Sequence, residues 1–239
     1  MGNHIYILDT DLLKDPGLYA CCCSRVPRAR REKAAACRYE SDRRLSLGAG
    51  ILLTEGLVRA GLPEAEIASS IVQSEKGKPC LAGSSADRVH FNLSHSGILA
   101  VCAVSDAPVG VDIEKERKFR QRLVDYVFRP EEVRYIRDHY GSRADAGFTA
   151  LWTVKESVMK YFGEGIRMTP KTICVDLQGP VRAVCEGFPC EGLVFTQYAL
   201  PEGCAMTVCS GSGSFPAEPV WMGPADLNYK KPAMDLPTG

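Results

Sequence analysis

Two stretches about forty residues apart, Gly110-Val111-Asp112-Ile113-Glu114 and Trp152-Thr153-Val154-Lys155-Glu156-Ser157-Val158-Met159-Lys160, hold the residue types that manage a divalent cation beside a phosphate. In a strand, Asp112 and Glu114 project from one face while Val111 and Ile113 project from the other. In a helix, Glu156 and Lys160 stand one turn apart on one side. Three carboxylates repel unless a cation lies among them, and oxygen ligands with no nearby His or Cys favour magnesium over zinc. Magnesium takes one or two carboxylates and completes its shell with water and substrate phosphate oxygens, so one acid is spare. Glu156, at the edge of an apolar arc formed by Phe148, Leu151, Trp152, Val158, Met159 and Phe162, is the acid placed both to touch the metal and to take a proton. Lys155 falls inside that arc, where an unpaired ammonium is costly. It must snorkel out or find an anion.

Other groups are weaker alone. Phe91-Asn92-Leu93-Ser94-His95-Ser96-Gly97 ends a strand with hydroxyls, an imidazole and a glycine, a set able to hold phosphate oxygens at a turn. Lys76-Gly77-Lys78-Pro79 is by itself a basic turn. Between Arg25 and Arg44 there are eight basic residues against Glu32, Glu40 and Asp42, which makes that arm a candidate anion site, although such a run more commonly marks a solvated helix face.

These groups need elements to carry them. Strands are expected at Ile5 to Leu8, Ile67 to Val72, Val89 to Leu93, Leu99 to Val104 and Gly110 to Glu114. Helices are expected at Pro27 to Tyr39, at Asp42 to Ala60 with Ser41 or Asp42 as its cap, and at Arg120 to Val127, Pro130 to His139 and Ala146 to Phe162. Further strands are expected at Thr172 to Leu177, Val181 to Cys185, Leu193 to Ala199 and Ala205 to Cys209. The order of strand, helices and strands therefore occurs twice, and the fold class is α+β with two halves of similar layout. The halves are placed at residues 1–107 and 108–213, the second carrying the metal site. Residues 214–239, with five prolines and no periodicity, form a Pro-rich extended tail.

A chain of 239 residues with 45% hydrophobic content can bury a real core. Acidic and basic residues balance at 29 each, which argues against nucleic-acid binding through overall charge. No apolar run reaches membrane-spanning length, and Met1 to Ile7 reads as an early strand instead of a cleavable leader. The eleven cysteines are odd in number and three are consecutive, so they read as reduced thiols of a soluble, cytoplasmic protein. Cys185/Cys190 and Cys204/Cys209 lack zinc-site spacing and read as packing residues.

In order and spacing, Gly77-Lys78-Pro79, then Phe91 to Gly97, Gly110 to Glu114 and Trp152 to Ser157 with Lys160 strongly resemble the 4'-phosphopantetheinyl transferases. The similarity is greatest to the surfactin-synthetase-activating type, a single chain of two similar α+β halves in a pseudo-twofold arrangement with the active site between them, and it covers roughly residues 30–160. The resemblance implies that coenzyme A binds between the halves as co-substrate and that its phosphopantetheine arm passes to a serine of an apo acyl or peptidyl carrier protein, releasing adenosine 3',5'-bisphosphate. It implies that Asp112, Glu114 and Glu156 bind Mg²⁺, that Lys160 contacts phosphate, and that Ser94 and His95 contact the nucleotide phosphates. Lys76, Gly77, Lys78 and Pro79 are then part of the wall around the adenine nucleotide, and Arg44, with Arg30 or Lys33, holds the 3'-phosphate. Attack by the carrier serine on the β-phosphate, with Glu156 or a metal-bound water taking its proton, is the expected chemistry, and Lys160 and His95 neutralise the leaving group. The enzyme is expected to be a monomer. The basic run Lys115, Arg117, Lys118, Arg120 and Arg122 is the expected docking surface for an acidic carrier. A non-catalytic coenzyme A-binding module and a metal-dependent phosphohydrolase are the rival readings.

Overall fold

The computed structural model describes residues 2–164, 168–176, 179 and 181–229. Its elements run β1 (His4–Asp9), α1 (Pro16–Arg25), α2 (Arg28–Ala35), α3 (Glu40–Arg59), α4 (Glu64–Ser70), β2 (Ile71–Gln73), β3 (Pro79–Leu81), β4 (His90–Ser96) and β5 (Leu99–Ser105). They continue with β6 (Val109–Lys115), α5 (Gln121–Val127), α6 (Pro130–Tyr140), α7 (Ala144–Phe162), β7 (Ile173–Asp176), β8 (Arg182–Cys185), β9 (Val194–Leu200), β10 (Cys204–Ser210) and β11 (Val220–Trp221), so the chain is mixed α+β.

Two sheets, ordered β11-β1-β5-β4 and β6-β10-β9, share a core. Ile5 and Ile7 of β1, Val101 and Ala103 of β5, Val111 and Ile113 of β6 and Met206 and Val208 of β10 form that shared layer. The alternate residues face outward onto helices, as the two-residue period of a strand requires. Tyr6, Leu8, Cys102 and Val104 pack with Leu47, Ile51 and Leu52 of α3. On the other side α7 lies against β6 and β10, and a Cβ on Gly110 would fall 2.0 Å from the Ser157 carbonyl oxygen. Glycine at 110 therefore lets the helix axis approach the strand that bears the acids.

The sheets meet at their edges, β4 and β6, without a main-chain ladder. Instead Asn92 Oδ1, Ser94 Oγ and Ser96 Oγ accept hydrogen bonds from the amides of Val111, Ile113 and Lys115 at 3.0, 3.3 and 3.0 Å. Each is two residues from the next on both strands, so alternation on β4 delivers three acceptors to three amides that a sheet edge would otherwise leave unpaired.

Several expectations are corrected. Residues 64–70 are helix α4, with Ile71–Gln73 as a short strand after it, where branched residues had pointed to one strand from Ile67. The Pro27 to Tyr39 helix ends at Ala35, and α3 starts at Glu40 behind Tyr39 with no side-chain cap. Helix α1 was not anticipated. Asp15 Oδ1 caps it by accepting from Gly17 and Leu18 amides at 2.9 and 3.0 Å, with Pro16 at its first position. Cys185 and Cys190 form a disulfide, with Cα atoms 5.8 Å apart, so the reading of every cysteine as a free thiol fails for this pair. The described part of the tail returns to the first sheet, where β11 runs parallel to β1 and Leu227 is buried in the α3 core. Leu177 and residues 230–239, included in the expected strand and tail, lie outside the described residues. No helix among the described residues is long and apolar enough to cross a membrane.

Candidate active site

The joint between β4 and β6 floors a cavity of about 450 Å³. Its walls bring together Arg30 and Lys33 of α2, Ser46 of α3, Pro79, Ser94 and His95 of β4, Asp112 and Glu114 of β6, and Trp152, Glu156 and Lys160 of α7. An adjoining cavity of about 410 Å³ shares Pro79, Asn92, Leu93, Glu156 and Lys160 and adds Lys76, Gly77 and Lys78. Asp112 and Glu114 therefore do face one way, toward α7, while Val111 and Ile113 enter the shared core.

The acids are held differently. Asp112 is buried, and its Oδ1 accepts from Lys160 Nζ at 2.6 Å and from Ser94 Oγ at 3.0 Å. Its other oxygen, Oδ2, is buried with no hydrogen-bond partner. Glu114 accepts from Ser96 Oγ at 3.1 Å and from Trp152 Nε1 at 3.4 Å. Glu156 has no hydrogen bond of this kind among the described residues and is half-buried. Burial raises its pKa above the ordinary carboxylate value and the Asp112 charge adds to this, with Lys160 opposing. Burial likewise raises Asp112, against the pull of the Lys160 ammonium. A carboxylate pushed upward by burial and a like charge is suited to receive a proton.

The cations divide into two groups. Lys160 donates to Asp112 and to Ser94 Oγ at 2.8 Å, and an ammonium has three donors, so one remains for a ligand. Ser94 Oγ accepts from Lys160 and from the Ile113 amide and gives its proton to Asp112, which uses its one donor and two acceptor sites. His95 lines the cavity with part of its ring open to solvent, and the partial burial of the ring, with Lys160 and Lys33 nearby, lowers its pKa. Arg30 and Lys33 line the α2 end of the cavity. Arg44 does not line either cavity: its guanidinium pairs with Glu40 at 2.6 Å and reaches Asp11 at 3.9 Å. Lys76 pairs with Glu164, and Lys78 is turned to main-chain carbonyls.

Among the described residues, no three acid, His or Cys side chains converge as a ready-made metal cage. The unpaired Asp112 Oδ2 nevertheless fits a hard cation completed by ligand oxygens, because one or two carboxylates are enough for magnesium. Asn92 and Ser96 were read from the sequence only within a set able to hold phosphate, not as partners of β6, and Trp152 was assigned no role at the site. The polar residues at every second position of β4 were the available signal for the first two.

Lys155 is fully buried and finds its anion in Glu132 of α6, within the part of the chain that follows β6 and not across the joint.

Residues 108–200 match the family model described as the 4'-phosphopantetheinyl transferase superfamily. A 4'-phosphopantetheinyl transferase of Bacillus subtilis is 30% identical over 154 residues, 64% of this chain and 67% of that protein. The Bacillus subtilis 4'-phosphopantetheinyl transferase ffp is 28% identical over 200 residues, 82% of this chain and 86% of the relative. The 4'-phosphopantetheinyl transferase Sfp of Bacillus subtilis strain 168 is 27% identical over 194 residues, 79% and 84% of the two chains. The chain belongs to the 4'-phosphopantetheinyl transferase superfamily and is an enzyme of that class.

Proposed function

We propose that the chain transfers the 4'-phosphopantetheine arm of coenzyme A to a serine of an apo acyl or peptidyl carrier protein and releases adenosine 3',5'-bisphosphate. The observation that carries the reading is the gathering of Asp112, Glu114, Glu156 and Lys160, from β6 and α7, around one cavity that Arg30 and Lys33 of α2 also line. A nucleotide that carries both a pyrophosphate and a 3'-phosphate suits a cavity lined by metal-binding acids and by separate cations. Residues 1–107 and 108–213 are read as two related halves in a pseudo-twofold arrangement meeting at β4 and β6, with the tail from 214 returning to the first.

Asp112 and Glu114, with Glu156, would hold Mg²⁺, which when bound supplies positive charge to the pyrophosphate oxygens. Glu156 takes the proton of the attacking serine hydroxyl. The bond from the serine oxygen to the β-phosphorus forms as the bond from that phosphorus to the bridging oxygen breaks, and the electron pair leaves with the bisphosphate. Lys160 offers its free donor to the charge that develops there, while Arg30 and Lys33 anchor the 3'-phosphate. His95 donates to phosphate as a hydrogen-bonding ring. Trp152 and Ser96 orient Glu114. The exposed run Lys115, Arg117, Lys118, Arg120 and Arg122 begins at the end of β6 and receives an acidic carrier surface.

Mixing the chain with coenzyme A, Mg²⁺ and an apo carrier tests this directly. A carrier heavier by one phosphopantetheine supports transfer, free phosphate supports hydrolysis, and no product leaves a binding module.

A further inference from the structure

One partly buried cation near the site is held by main-chain oxygens and not by an acid. Lys78 Nζ donates to the carbonyl oxygen of Tyr161 at 2.9 Å and to that of Val109 at 3.2 Å. Tyr161 is the residue before the last of α7, so its carbonyl is among those a helix cannot satisfy itself, and a cation at that end also meets the negative pole of the helix. Val109 is the first residue of β6. Lys78 itself sits in a closed turn, in which Ser74 N donates to Lys78 O at 2.9 Å and Lys78 N donates to Ser74 Oγ at 3.1 Å. The side chain is therefore launched from a fixed base.

Two neighbours fit the same purpose. Gly163 ends α7 with φ +69°, and a Cβ there would lie 3.0 Å from Lys78 Cδ, so glycine leaves the passage open for the lysine stem. Lys76, from the same turn, pairs with Glu164 just beyond the helix. Glu156 and Lys160 lie in the last two turns of α7, and Asp112 is three residues along β6 from Val109.

We infer that Lys78 is a positioning residue, which clamps the end of α7 to the start of β6 and so sets Glu156 and Lys160 against Asp112. Its ammonium belongs to the scaffold and not to the nucleotide. The inference rests on the transfer reading above. Pro79 of the same turn lines both cavities, and Gly77 and the Lys78 stem line the second.

Lys78→Met and Lys78→Arg in the full chain test the clamp, with transfer to an apo carrier followed by mass and coenzyme A affinity measured by calorimetry without carrier. For Lys78→Met the expected result is a kcat lower by about tenfold or more, because misplaced catalytic groups act on the rate, with coenzyme A affinity within about threefold. Lys78→Arg keeps a donor for the two carbonyls and recovers part of the loss. A coenzyme A affinity weakened about tenfold with kcat unchanged at saturation would make Lys78 a ligand and overturn the clamp. So would parent-like kcat and affinity in Lys78→Met. Should that variant not fold, Gly163→Ala displaces the same stem, and a kcat within about twofold of the parent overturns the inference. No transfer by the parent chain overturns both readings, whereas an active parent with an unchanged variant overturns only the clamp.

Discussion

The Lys155 ammonium lies 2.7 Å from Glu132 Oε2, and both side chains are sealed from solvent. Lys155 also donates to the carbonyls of Val127 and Pro170 at 3.1 and 3.2 Å, which uses all three of its protons. Glu132 accepts in turn from the amides of Arg129 and Val175 at 2.8 and 3.2 Å. One pair thus ties α7 to the end of α5, the start of α6 and β7, which fixes the rotation of the helix that bears Glu156.

Lys155→Met leaves Glu132 buried with no counter-charge and should cost roughly 3–5 kcal/mol in urea unfolding. Adding Glu132→Gln removes the stranded charge, and the double variant should be more stable than Lys155→Met alone. A double variant no more stable than the single would show that the charge pairing is not what Lys155 supplies.

Glu156→Gln keeps the size of the side chain and removes its capacity to take a proton. Transfer should fall by about 10²–10⁴-fold while coenzyme A binding changes little. Near-normal turnover would remove Glu156 from the mechanism.

Lys118→Glu with Arg120→Glu reverses charge on an exposed segment away from the cavity. The Michaelis constant for carrier should rise and that for coenzyme A should not. An unchanged carrier dependence would move the docking surface elsewhere.

Burial lowers the pKa of Lys78 from 10.5 to about 8, with Cys209 and Cys80 opposing the shift and His90 also nearby. Between those two values the folded chain has released a proton that the unfolded chain still holds, so the stability of the parent rises with pH across that window. Lys78→Met has no such proton. The urea midpoint of the parent, minus that of the variant, should therefore increase from about pH 7 to about pH 9.5, and a decrease would contradict the burial of a charged Lys78.

Asp112 and Glu114 were legible in the sequence because a strand has a two-residue period and acids alternating with Val111 and Ile113 can face only one way. Helix α7 was legible for the same kind of reason, from its apolar arc. Lys155 announced that it needed an anion, but nothing local named Glu132, which sits 23 residues earlier where an acid in the first turn of α6 looks like an ordinary end of a helix. Helix α4 was misread because Ile67, Ile71 and Val72 favour a strand, while Pro63 and the acids Glu64 and Glu66 mark a helix start. Strand β11 was hidden by prolines, since its two residues gain their order from pairing with β1. The disulfide depended on the bend after β8 bringing Cys185 and Cys190 together, which composition does not report.

The side-chain joint between β4 and β6 makes the alignment of the two sheets discontinuous. A slip of one residue along β4 would present Phe91 and Leu93, which have no acceptor, to two of the three amides of Val111, Ile113 and Lys115. A slip of two would strand an amide and strip the neighbouring carboxylate of its hydroxyl partner. The joint therefore behaves as a ratchet with one seated tooth. The height of the acids above α2 and α3 is thereby reset to the same value each time the chain folds.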